Sequence, residues 1–163
     1  MKIFYVLLAT LGLSVTAQGS TSENSVNFIN KMIEKRGMHG CRKVISDIFQ
    51  GKNDDVRVNT SVMPGEKNAL KITVTHGRKG DSMMTDVFLR KLNDKCIANV
   101  TAIMTSSKSC LSCLGKIKGY KVSGECADFT EFLHDKGGTM YMKPMGNGCI
   151  VTMLSDFRSV VQT

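Results

Sequence analysis

The chain predicts an α+β fold: an N-terminal helix, or two, packed on a four-stranded antiparallel meander, followed by a disulfide-stapled C-terminal segment. Three observations carry this. Four runs of alternating apolar and polar residues follow one another between Val56 and Met104. Two stretches with helical spacing precede them. The cysteines are concentrated beyond residue 95, where regular patterning is thinnest.

Met1-Lys2 is a short basic start, and Ile3 to Val15 is apolar with few exceptions. Val15-Thr16-Ala17 then offers the small residues that a signal peptidase requires. This reads as a secretory signal over residues 1–17, cleaved after Ala17, leaving residues 18–163 as a single secreted domain. The apolar run is short for a membrane span, so no transmembrane anchor is expected.

Val26, Ile29 and Ile33 form one stripe after Ser22, with Phe28 and Met32 beside it. Lys35-Arg36 suits the negative end of a helix dipole, and Gly37 stops the helix. Cys41, Val44, Ile45 and Ile48 repeat the spacing and end at Gly51. Asn53-Asp54-Asp55 reads as a solvated turn, since it lacks the ligand series of a calcium loop.

The four runs start at Val56, Leu70, Met83 and Cys96. A period of two buries one set of side chains and exposes the other. Met63 to Asn68, Gly77 to Asp81 and Asn93 to Lys95 are rich in turn formers, so hairpins are the natural connections. In the third run, Met84, Val87, Phe88 and Leu92 also fit a helical face. Farther on, Asp128-Phe129-Thr130-Glu131 has the form of a capping box before a short helix through Leu133. Thr139–Lys143 and Cys149–Leu154 read as another hairpin. The tail from Asp156 to Thr163 has room for one helical turn.

The net charge of +8 draws a secreted chain toward acidic partners: sulfated glycans, anionic lipid surfaces or acidic protein patches. Solubility alone would also account for it. Nucleic acid is not expected as a partner. Cys41, Cys96, Cys110, Cys113, Cys126 and Cys149 are even in number, which implies three disulfides of undetermined connectivity. Asn59-Thr60-Ser61 and Asn99-Val100-Thr101 are N-glycosylation sequons, each with its Asn on the strand face opposite the valines.

No motif in the chain supplies a catalytic centre. Cys110 and Cys113 form a C-x-x-C pair, but their Ser-rich and Gly/Lys-rich flanks favour two separate disulfides over a redox motif or a zinc site. The histidines, His39, His76 and His134, have no nucleophile or phosphate loop in their local sequence. His134-Asp135 resembles the His-Asp pair of secreted phospholipases A2, without their adjacent cysteines or Gly-rich calcium loop. A small secreted hydrolase is therefore kept only as an alternative. No cofactor or metal is expected.

Two surfaces stand out. Lys116, Lys118 and Lys121 surround Tyr120 between Cys113 and Cys126, a basic segment that disulfides would hold rigid against an anionic surface. A solvated lysine-rich turn explains the same residues. Arg78, Lys79 and Asp81 flank or form a Lys-Gly-Asp tripeptide on the second hairpin tip. It resembles the integrin-binding tripeptide of the disintegrins over those three residues only. The resemblance implies a receptor antagonist, with Asp81 reaching a receptor metal and a nearby cation reaching an acidic pocket. A turn rich in Gly and Asp needs no such explanation.

A helix ahead of an antiparallel meander also resembles the general plan of cystatin-like domains. That makes a protease-inhibitor-like domain a further alternative. The first hairpin reads Met63-Pro64-Gly65-Glu66-Lys67 instead of the family's Gln-x-Val-x-Gly, and the chain has no Trp. The leading expectation is a secreted, basic, non-enzymatic binding protein acting on an extracellular protein, a receptor or an anionic surface.

Overall fold

The computed structural model describes residues 15–19, 22–49, 56–62, 65–93 and 95–160. Most of the expected signal segment, the Asn53-Asp54-Asp55 turn, Met63-Pro64 and the last three residues of the tail lie outside the described residues.

The four alternating runs become β2 (Val56–Ser61), β3 (Ala69–Arg78), β4 (Asp81–Leu92) and β5 (Lys95–Ser106). β4 is a strand along its length, so the helical option for the third run is excluded. The expected fold, however, is wrong. Among the described residues the sheet has nine strands in the order β1-β2-β3-β4-β5-β9-β8-β7-β6, all antiparallel to their neighbours. The meander is only part of it, and the cystatin-like plan does not apply.

The added strands are β1 (Val15–Gly19), β6 (Tyr120–Cys126), β7 (Phe129–His134), β8 (Thr139–Met145) and β9 (Gly148–Val160). β1 takes in Val15–Ala17, so cleavage after Ala17 would remove most of its pairing with β2. The capping-box stretch is β7, not a helix, and residues 156–160 extend β9 instead of turning helically. In both places backbone groups that a helix would satisfy internally are satisfied by neighbouring strands.

Helix α1 (Ser22–Lys35) ends in a Schellman turn. Gly37 adopts φ +64°, its N–H donates to Glu34 O, and Met38 N–H donates to Ile33 O. Ile33 and Met38, the apolar pair of that motif, are fully buried. A 3-10 turn (His39–Cys41) leads into α2 (Arg42–Ile48). A third, five-residue helix, α3 (Cys110–Leu114), was not foreseen. Ser109 caps it, accepting a hydrogen bond from Ser112 N–H.

Residues in register share a sheet face. One such row, Val58–Val74–Thr85–Ala102–Met153–Met140–Phe132, crosses from β2 to β7. Both apolar clusters lie on that face. One joins α1 and α2 to β2–β5. The other joins α3 and Tyr120 to β7, β8 and β9. None of the described helices packs in an apolar cluster on the opposite face, which is largely polar, with Asp86 bonded to Thr73 and paired with Lys71 at 3.5 Å.

Two disulfides are present among the described residues, Cys41–Cys96 and Cys110–Cys149. This corrects the expectation of three. Cys113 is a buried thiol in the second cluster, whereas Cys126 is an exposed thiol at the end of edge strand β6. The fold places the two on different elements, one inside and one outside.

Candidate functional site

The structure scatters the residues singled out by the sequence. Asp81 opens β4, and its carboxylate accepts hydrogen bonds from Ser106 Oγ (2.8 Å) and the Ser107 N–H (3.2 Å). Lys79 is exposed beside Gly80 at the β3–β4 tip, and Arg78 pairs in register with Asp81. The tip thus presents a lysine, while the aspartate is turned onto β5.

The Lys116–Lys121 segment is not stapled at Cys113 and Cys126, because neither is in a disulfide. It is held by α3 at one end and by β6–β7 pairing at the other. Tyr120 is a packing residue: its ring meets His134 edge-on at 4.8 Å. Lys121 pairs with Asp135 at 3.1 Å, while Lys116 and Lys118 are exposed. A side chain at Gly119 would overlap the His134 imidazole, so glycine permits this close crossing. His134 Nδ1 accepts from Lys136 N–H. His39, His76 and His134 lie on separate elements. Asn59 and Asn99 are both exposed on the polar face, where Asn99 Nδ2 donates to Asp156 Oδ1 at 2.7 Å.

Two other assemblies are compact. The first is basic and lies where α1, the β2–β3 connection and the β4–β5 turn meet. Arg36 Nη1 donates to the carbonyls of Glu66 (3.0 Å), Lys67 (3.4 Å) and Ala69 (3.3 Å). Lys91 Nζ donates to Gly37 O at 3.2 Å, and Lys91 N–H to Asn68 O at 2.9 Å. Ala69 is in register with Arg90, and Leu92 with Lys95. Lys35, Lys67, Arg90 and Lys95 are exposed around this knot. The carboxylates described here, Glu34 and Glu66, face Arg42 and Arg90. Arg36 and Lys91 are bound by neutral carbonyls, so their charges are fixed in place without being cancelled. No run of basic residues announces this cluster, because its members come from four separate stretches.

The second assembly is a cavity of about 360 Å³ at the opposite end of β3, β4 and β5. Met83, Met104 and Met153 form its floor on three adjacent strands, and Cys113 and Ile117 wall it. His76 closes one side, in register with Met83. Burial holds the His76 imidazole below the ordinary histidine value near 6.5. Lys108 and Lys116, exposed on either side of α3, also line the cavity. A signal for this site was present in the sequence: Met83 and Met104 are flexible methionines at alternating positions of a meander whose other positions of the same phase hold mostly β-branched or small residues. Among the described residues, no cluster of His, Cys, Asp or Glu could hold a metal ion.

No protein-family model matches the chain, and no curated protein or solved structure matches it.

Proposed function

We propose that this is a secreted, non-enzymatic binding protein that engages an extracellular polyanion, such as a sulfated glycan, through its basic end. The observation carrying this is the pair Arg36 and Lys91. Both are tied to backbone carbonyls, which orders the cations before a partner arrives and leaves their charge available. Ordering in advance lowers the entropy cost of binding. The exposed Lys35, Lys67 and Lys95 extend the same field. Two disulfides suit an oxidising compartment, and no described helix is long and apolar enough to cross a membrane.

The integrin-type reading needs an available Asp81 carboxylate, and Ser106 and Ser107 already occupy it. The polyanion reading is tested on immobilised heparin. Wild type should be retained and elute earlier as salt rises, because exposed charges are screened. Replacing Lys35, Lys67 and Lys95 together by Ala should abolish most retention. Replacing Lys116, Lys118 and Lys121 should leave most of it. Equal elution of wild type and the first variant would rule the basic end out.

A further inference from the structure

We propose that the methionine-floored cavity is a binding site for a small amphipathic anion: a carboxylate or sulfonate head on a short apolar body. The helix-bearing face is otherwise well covered. Val58, Val74, Met140 and Val151 on it are at most 3% exposed. Met83, Met104 and Met153 are only half-buried: Met104 and Met153 lie at the margin of the α3 cluster, and Met83 belongs to neither cluster. An apolar floor left open in this way is where a ligand gains most from burial. Methionine suits it, being unbranched and able to repack around tails of different shape.

The rim chooses the charge. Lys108 and Lys116 bracket α3 and are among the residues lining the cavity. The lining carboxylate, Asp81, is already bonded to Ser106 and Ser107. Those hydrogen bonds hold the Asp81 carboxylate against β5 without cancelling its charge. The two lysines still leave the lining net positive, so a negative head is drawn to them while the tail meets sulfur and methyl groups. The volume lies near the lower end of the range of about 300–1,000 Å³ found for small-molecule pockets. It suits a single chain of roughly eight to ten carbons.

The test uses the full oxidised protein carrying methyl-labelled methionines, titrated with decanoate below its micelle concentration and, separately, with decanol. Decanoate should shift the methyl signals of Met83, Met104 and Met153, and leave the exposed Met84 and Met145 unmoved. Lys108→Ala with Lys116→Ala, both surface changes, should weaken decanoate about tenfold or more, the scale of a lost charged hydrogen bond. Decanol affinity should stay the same. Three results would overturn the proposal: no shift at the three methionines, shifts only at Met84 or Met145, or equal decanoate affinity in wild type and the lysine variant. Heparin retention depends on the opposite end of the strands and should not respond to decanoate, so the two sites succeed or fail separately.

Discussion

At the scale of single residues, His76 shows how position overrides chemistry. It lies on the core-facing side of β3, in register with Met83. Burial disfavours its charged form, so its folded pKa lies below the value near 6.5 that the unfolded chain keeps. The sign follows. As pH falls through 6.5, the unfolded chain takes up a proton that the folded chain resists, and stability is lost until the folded pKa is reached. The denaturation midpoint of wild type should therefore drop more between about pH 7.5 and about pH 5.5 than that of His76→Gln. Urea titrations at the two pH values decide this. Equal drops in the two proteins would mean that His76 titrates alike folded and unfolded.

At the scale of elements, α3 is too short to hold itself together. Its attachment is the Cys110–Cys149 bridge to β9, which closes a separation of 39 residues. Loop-closure entropy makes such a bridge worth about 4 kcal/mol. Replacing Cys110 by Ser and Cys149 by Ala should release α3 and expose the buried thiol it carries, Cys113. A thiol reagent should label Cys126 quickly and Cys113 slowly in the native protein. In the double variant both should react quickly. Fast labelling of Cys113 in wild type would show that α3 is not held against the sheet. The elements also separate what was legible from what was not. β2 to β5 were readable because each alternates locally and each is followed by turn residues. β7 was misread because Asp128-Phe129-Thr130-Glu131 fits a capping box, a signal spanning four residues. Glu131 instead accepts from Ser123 Oγ on β6, and the Ser123 and Tyr141 hydroxyls hold its carboxyl below the ordinary glutamate range. That pairing is decided by strands outside the window in which a cap is recognised. The binding surfaces follow the same division. The Lys116–Lys121 run was visible because it is contiguous. The cluster around Arg36 and Lys91 was not, because only the folded sheet brings those residues together.

At the scale of the whole molecule, the decisive feature is the β5–β9 ladder. β5 pairs with β9 along its whole 12-residue length, from Lys95 with Val160 to Ser106 with Cys149. No local pattern encodes a contact between residues so far apart in sequence. It fuses the expected meander and the expected stapled segment into one sheet, with both apolar clusters on the same side. The chain should therefore unfold as one unit, although it has two cores. Leu89 belongs to the α1–α2 cluster and Met140 to the α3 cluster, and both are fully buried. Truncating either to Ala leaves a cavity, at a cost of about 2–5 kcal/mol. If the ladder couples the halves, each variant should show one transition at a lower midpoint, with far-UV circular dichroism and tyrosine fluorescence coinciding. Tyr120 and Tyr141 report from the β6–β8 half, so the Leu89→Ala variant is the sharper test. A shift in circular dichroism without an equal shift in tyrosine fluorescence would mean that the halves unfold separately. The sheet would then be two units joined at a seam.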